Sequence, residues 1–165
     1  MNFNLVDLPK EFQITYYDQG IQRMTAWLMN QSQVLSVFQV GSVSAPGISD
    51  VDLLVIFKDG SQLSIDPVLL SEFSKERYVF IHSLFGTTLS RFNELDKYTL
   101  FSNFHHIAGQ QINMSAPVFV KNDEQTLKQQ LALEYLLKAF ISLHTNITYK
   151  TIKVRGLLLH VKALL

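Results

Sequence analysis

Apolar residues recur along this chain with the spacings of helices in some segments and of strands in others. Ile14, Tyr17, Ile21, Met24 and Leu28 follow one another three or four residues apart, which predicts one apolar helix stripe. Two later runs are dense in β-branched and aromatic residues and predict strands. In chain order the pattern predicts helix 8–33, strand 34–40, loop 41–49, strand 51–57, turn 58–61, helix 67–76, strand 77–85, helix 87–102, strand 104–112, helix 123–144 and helix 148–165.

This order of elements predicts an α+β fold with about four strands. We divide the chain into a domain at 1–120 and a helical extension at 121–165. The inward positions of the first helix of this extension are expected to be Leu127, Leu131, Leu136, Leu137, Phe140 and Leu143. The chain ends on an apolar turn, HVKALL, without a capping residue. We therefore expect it to be the N-terminal part of a longer protein.

Composition and charge narrow the class of protein. Apolar residues make up 47% of the chain, which suits a folded core. Cysteine is absent, so disulfides and cysteine-based zinc sites are excluded, and a cytoplasmic location is expected. Residues 1–120 carry a net charge of −4 and residues 121–165 carry +4. This division suits a protein that binds a cation on one side and phosphates on the other, and it equally suits surface helices that are simply rich in Lys. We expect neither a secretory leader nor a membrane span.

The segment 38–57, FQVGSVSAPGISDVDLLVIF, carries the chemistry of the chain. A predicted strand ends at Gly41, and glycine lets the backbone adopt unusual angles and approach a ligand closely. Ser42 adds a hydroxyl, and the turn after it offers free backbone N–H groups. A bend of this kind can hold phosphate oxygens.

Asp50 and Asp52 stand at the start of the next predicted strand. Because side chains on a strand alternate between faces, residues two apart project from the same face, with Cα atoms about 6.6 Å apart. Two such carboxylates can hold Mg²⁺, which prefers hard oxygen ligands completed by water and substrate phosphates. The alternative is that Asp50 caps the loop and Asp52 is a charge at the strand end. Burying an acid in so apolar a strand is costly unless the acid has a partner or lies at the exposed end of the strand, so the residues alone leave both interpretations open.

This pattern of apolar strand, Gly-Ser, loop, Ser-Asp-Val-Asp and apolar strand resembles the signature of the nucleotidyltransferase superfamily. That group includes poly(A) polymerases, DNA polymerase β-like enzymes, aminoglycoside nucleotidyltransferases and minimal nucleotidyltransferases. The resemblance covers about twenty residues and implies a mixed sheet flanked by helices, with Mg²⁺ and a nucleoside triphosphate, expected to be ATP. Carried over by position, it assigns triphosphate binding to Gly41 and Ser42 and metal binding to Asp50 and Asp52. The same resemblance assigns the shaping of the cofactor-binding loop to Ser44, Gly47 and Ser49.

The chain departs from the family pattern at one catalytic position. Active members usually have a third acid on a later strand, yet the matching predicted strand 77–85 contains no Asp or Glu. His82 lies where that acid would fall and is either a base or a structural residue. Asp66 is the other candidate, although Pro67 after it favours a helix cap.

Three functions remain open from the sequence. The first is transfer of a nucleoside monophosphate to a hydroxyl acceptor, which could belong to a small molecule, a protein or a nucleic acid. The second is a nucleotide- or partner-binding module that keeps the fold without the third acid. The third is an α+β interaction domain in which the motif is accidental. The sequence does not indicate an oligomeric state. His105 and His106 are adjacent on one predicted strand, so their side chains face opposite ways and cannot share a metal.

Overall fold

The computed structural model describes residues 2–61, 77–82, 84–94, 104–113 and 121–164. The chain divides into two compact units, one formed by Phe12–Val118 and the other by Met1–Glu11 together with Phe119–Leu165. In chain order the elements are β1 (Asn4–Val6), α1 (Ile14–Met29), β2 (Val34–Val40), β3 (Asp52–Phe57), β4 (Phe85–Thr88), α2 (Leu89–Asn93), β5 (Phe104–Gly109), α3 (Lys121–Thr148), β6 (Thr151–Lys153) and α4 (Val154–Leu164). The predicted α+β fold with a mixed four-stranded sheet is confirmed.

The sheet of the first unit has the strand order β4-β3-β2-β5. β2 runs antiparallel to both β3 and β5, whereas β3 and β4 are parallel. Each face buries a separate apolar cluster, and burying one such side chain contributes roughly 1.5–3 kcal/mol. The cluster that includes α1 contains Tyr17, Met24, Leu28, Val34, Val37, Val51, Leu53, Val55, Phe57 and Val79. The other cluster contains Phe38, Leu54, Ile56, Phe92 and Ile112.

Strand β3 therefore has both faces covered, as its unbroken apolar sequence predicts. Its pairing with β2 sets the position of the loop between them, because Val40 at the end of β2 lies opposite Asp52 at the start of β3. The loop 41–51 therefore leaves β2 and enters β3 at the same end of the sheet. Asp52 alternates with Leu54 and Ile56, so it begins the row of side chains that faces the smaller cluster.

Helix α1 is shorter than the predicted helix 8–33. Residues 8–13 are not helical, and the N-cap residue Gln13 has an extended backbone and no side-chain capping bond. Pro9 disfavours helical geometry in the residue before it and no capping side chain follows, so the helix begins where its apolar stripe begins. Gly20 does not split the helix, because it is buried in the face that packs on the sheet.

The predicted strand 77–85 is wrong. Residues 77–79 form a turn, residues 80–82 have no regular structure, and β4 begins only at Phe85. The apolar character of this run serves the core, in which Val79 is fully buried, and not strand pairing. One backbone bond, from Val51 N to Val79 O at 2.9 Å, ties it to the start of β3.

The helix predicted at 87–102 is described only as far as Glu94, and the helix predicted at 67–76 lies outside the described residues. Thr88 occupies the N-cap position of α2 without a capping bond. Asp59 in the β3 turn caps the helix instead, because its Oδ1 accepts from the backbone N of Ser90 at 3.0 Å and from its hydroxyl at 2.8 Å. These bonds, the backbone one first, lower the pKa of the Asp59 carboxyl.

The second unit combines a two-stranded parallel sheet, β1 with β6, with the helices α3 and α4. The predicted helix 148–165 is therefore wrong at its start, where Thr151–Lys153 form β6. The predicted inward face of α3 is also wrong for the exposed residues Leu136, Leu137, Phe140 and Leu143. Another face turns inward, because Tyr135 packs edge-on against His160 of α4 with their ring centroids 5.9 Å apart.

Among the helices in the described ranges, none has the length and hydrophobicity needed to cross a membrane. The helix α3 reaches 28 residues but carries charged side chains along its length.

Lys150 closes α3 in a left-handed conformation, with φ of 51°. Its backbone N donates to Ile147 O at 3.1 Å, and its carbonyl accepts from Asn4 N at 2.8 Å, so both bonds survive any substitution but proline. Left-handed geometry costs a side-chain-bearing residue about 1–2 kcal/mol, partly offset by the unfolded-state freedom of glycine. We expect Lys150→Gly to raise the free energy of unfolding by about 0.5–1 kcal/mol. Denaturant melts followed by circular dichroism measure this change.

The matched control is Lys138→Gly, which makes the same exchange at an exposed position inside α3. There glycine is expected to cost about 1 kcal/mol, since it loosens a helix interior. Equal effects at the two positions would contradict the assignment of backbone strain to Lys150.

Candidate metal and phosphate site

The Gly41-Ser42 bend lies directly beside the acid pair. Gly41 follows Val40, the partner of Asp52, and has a φ of 71°, which glycine adopts at little cost. A Cβ built on Gly41 would meet no atom within 4 Å, so the backbone conformation rather than lack of space calls for glycine there. Ser42 is exposed, and its hydroxyl is therefore accessible to a ligand.

Two tyrosines hold the rest of the loop from inside the unit. Tyr17 is fully buried, and its hydroxyl accepts from Gly47 N at 2.8 Å and donates to Ser49 O at 3.0 Å. Tyr78 donates from its hydroxyl to Gly47 O at 2.6 Å. Gly47 has a φ of 85°, so the loop reverses here around these hydroxyls.

The serines of the loop divide into two kinds. Ser49 is buried, and its Oγ accepts from Ala45 N at 3.1 Å, so this hydroxyl stabilises the turn from within. Ser44, like Ser42, is exposed. Gly47 and Ser49 therefore belong to the buried, hydrogen-bonded part of the loop. Ser42 and Ser44 carry the hydroxyls that a phosphate could reach.

Asp50, Asp52 and His82 come together at the end of the loop. One ligand atom from each lies within 4.8 Å of the others. The Nε2 of His82 is 3.5 Å from Oδ2 of Asp50, and the side chain of Asp50 is 18% exposed whereas that of His82 is 59% exposed. The two acids therefore lie close together, although Asp50 precedes β3 rather than sharing it with Asp52, and His82 joins them from the side open to solvent.

The path of residues 77–82 explains how His82 arrives there without a strand. Val79 is buried in the core, Val79 O accepts from Val51 N, and Tyr78 is bound to Gly47 and packs edge-on against Phe12 with ring centroids 5.0 Å apart. These four contacts hold this segment beside Asp50.

Asp52 is the strained member of the cluster. Its Oδ1 is buried and has no hydrogen-bond partner among the described residues, which is costly for a carboxylate. Burial first, and the negative charge of Asp50 second, raise the pKa of the Asp52 carboxyl, while His82 acts in the opposite direction. A positive ion beside Oδ1 would offset both the lost hydration and the repulsion between the acids.

The residues present fit a divalent cation. They supply two carboxylates and an imidazole within reach of one point. The buried carboxylate oxygen, Oδ1 of Asp52, has no hydrogen-bond partner among the described residues. Within the described ranges, the third member of the cluster is His82 and no third carboxylate belongs to it. Asp66 lies outside the described residues.

Other residues of the sequence analysis lie elsewhere. His105 is exposed on β5, whereas the ring of His106 packs edge-on against Phe38, with centroids 5.3 Å apart. The Nε2 of His106 is buried and has no partner among the residues that the structure describes. Sequence reasoning missed the roles of Tyr17 and Tyr78. The available signal was a hydroxyl-bearing residue in an otherwise apolar stripe, because a buried tyrosine usually finds a polar partner.

Comparisons of the chain with protein-family models, curated proteins and solved structures found no match. The resemblance to nucleotidyltransferases therefore depends on the sequence of the segment 38–57.

Proposed function

We propose that this protein is a divalent-cation-dependent nucleotidyltransferase. The observation that carries the proposal is the convergence of Asp50 and Asp52 beside the Gly41-Ser42 bend, with a buried Asp52 oxygen that has no partner in the described part of the chain. A metal-triphosphate complex would suit both parts of this site. Its cation would bind the acids, and its phosphate oxygens would bind the bend. Mg²⁺ is the cation that the acid pair predicts, and ATP is the expected donor.

In the proposed reaction, an acceptor hydroxyl attacks the α-phosphorus of the nucleoside triphosphate, a new P–O bond forms, and pyrophosphate leaves. The bound cation would neutralise charge that develops on the phosphate oxygens. Asp50 and Asp52 hold it, while Ser42 and the backbone N–H groups of the bend orient the triphosphate. His82 has two chemical roles open to it, as base for the acceptor proton or as third ligand of the cation.

The second candidate function is a nucleotide-binding module without transfer activity. It is favoured by the presence of His82, rather than an acid, as the third member of the cluster within the described ranges. Both candidates predict metal-dependent nucleotide binding, and only the first predicts release of pyrophosphate.

The acceptor hydroxyl can belong to a small molecule, a protein or a nucleic acid, and a membrane is not among the expected partners. We place the reaction in the cytoplasm, because a cysteine-free chain suits that compartment and nucleoside triphosphates are abundant there.

Calorimetry with each of the four ribonucleoside triphosphates in the presence of Mg²⁺ tests the proposal. We expect Asp50→Ala/Asp52→Ala to weaken binding by at least about 100-fold, since the loss of two charged ligands costs several kcal/mol. Asp18→Asn, an exposed acid on α1, serves as the control and should leave binding unchanged. Nucleotide affinity that survives the double substitution would rule out this site. Pyrophosphate release by the wild type then separates transferase from binder.

A further inference from the structure

We infer that the cation site is a mixed oxygen-nitrogen site in which His82 is a ligand, and that it selects a divalent first-row transition metal over Mg²⁺. This inference rests on the cation site of the proposed function and concerns which ion that site holds. The acid pair alone suits Mg²⁺. The third ligand changes the preference.

Geometry supports a ligand role for His82. Its Nε2 is 3.5 Å from Oδ2 of Asp50, and this nitrogen and the two carboxylates lie within 4.8 Å of one another. Ligands bound to one cation at about 2.0–2.2 Å lie at comparable separations after small side-chain rotations. His82 therefore faces the point that the acids face.

The backbone also fixes this approach. Residues 77–82 are held by the buried Val79, by the bond from Val51 N to Val79 O, and by the bond from Tyr78 to Gly47 O. These contacts tie the segment to both ends of the 47–51 stretch that carries Asp50. The position of His82 is thus set by the same loop that presents the acids.

Ligand chemistry then decides the metal. Mg²⁺ is a hard ion that binds oxygen and retains its waters, whereas imidazole nitrogen favours later first-row metals. For a site of two carboxylates and one imidazole, affinity is expected to rise in the order Mg²⁺, Mn²⁺, Co²⁺. At 59% exposure, the His82 side leaves room for water and phosphate oxygens to complete the coordination.

Calorimetric titration of the full chain with Mg²⁺, Mn²⁺ and Co²⁺ tests this order. We expect Co²⁺ to bind at least about tenfold more tightly than Mg²⁺ in the wild type, and His82→Ala to remove most of that difference. His82→Asp, which makes the site all oxygen, should shift the preference towards Mg²⁺. His105→Ala removes an exposed histidine from β5 and should change neither affinity.

A spectroscopic measurement makes the ligand role visible without activity. Bound Mn²⁺ should show a coupling to ¹⁴N in pulsed electron paramagnetic resonance that disappears in His82→Ala and persists in His105→Ala. Equal affinities for Mg²⁺ and Co²⁺, or metal affinities that His82→Ala leaves unchanged, would overturn this inference and leave the proposed function standing. Failure of the wild type to bind any of the three cations would overturn both.

Discussion

Replacement of Tyr17 by phenylalanine is expected to lower the free energy of unfolding by about 2–4 kcal/mol, because it strands two buried backbone groups at once. The lost hydroxyl accepts from Gly47 N and donates to Ser49 O, and the side chain has no exposed surface through which water could replace it. Since phenylalanine retains the ring, the apolar packing in the core stays nearly the same.

The same substitution should weaken nucleotide binding more than metal binding. Gly47 and Ser49 lie between the Gly41-Ser42 bend and the acids, so loosening them disturbs the bend that is proposed to bind phosphate. We expect nucleotide affinity to fall about tenfold or more, whereas Asp50 and Asp52 keep their own anchor through Val51 N and the β2–β3 pairing. Denaturant melts and calorimetry measure the two effects separately.

Two further tyrosines calibrate this result. Tyr78→Phe removes the hydroxyl that donates to Gly47 O and should cost about 1–2 kcal/mol, because that group is only partly buried. Tyr149→Phe alters a side chain that is 75% exposed in the other unit and should leave stability and binding unchanged. If Tyr17→Phe behaved like Tyr149→Phe, the loop would have to be held by other means.

The strands at the centre of the sheet were predictable because their sequences leave one choice. The run 34–40 matches β2 at both ends, and the run 51–57 differs from β3 by one residue. Both are apolar on two faces and bounded by turn residues, so local propensity and tertiary burial favour the same structure. The shared face of the acid pair did not follow from β3 alone, because Asp50 lies in the loop before the strand, which begins only at Asp52.

The errors arose where an apolar run is buried for another reason. The segment 77–85 has the composition of a strand, but Val79 enters the core from a turn and β4 begins only at its last residue. Whether such a run pairs depends on a neighbouring strand far away in sequence, which periodicity alone does not reveal. The family resemblance nevertheless pointed to His82, as a base or a structural residue where the third acid would fall, and the structure places His82 beside Asp50.

The helix α3 shows the complementary limit. Its leucines and phenylalanine occur often enough to suggest several apolar stripes, and the predicted one included Leu136, Leu137 and Phe140, which are exposed. The face that turns inward was decided by β6 and α4, elements that follow α3 along the chain. The pairing of β1 with β6 was likewise invisible, because three-residue strands carry too little pattern.

Replacement of Asp52 by asparagine is expected to change stability in opposite directions with and without metal. Burial and Asp50 raise the pKa of Asp52 in the folded chain, so its ionised form destabilises the fold, and this cost appears as the pH rises above the unfolded value of 3.8. In a chelator at pH 7, Asp52→Asn should therefore be the more stable protein, by about 1 kcal/mol because the half-buried group is partly screened.

This advantage should shrink as the pH falls through the raised pKa of Asp52, because the wild-type carboxyl then becomes neutral as well. At a metal concentration 100 times the dissociation constant, the wild type gains about 2.7 kcal/mol that the asparagine variant lacks, and the order of stability reverses. Denaturant melts at several pH values, each with chelator and with metal, measure both effects, with Asp18→Asn as the exposed control. A wild type that stays more stable than Asp52→Asn in chelator would show that Asp52 already has a partner within the fold, and the case for a cation at its buried oxygen would be lost.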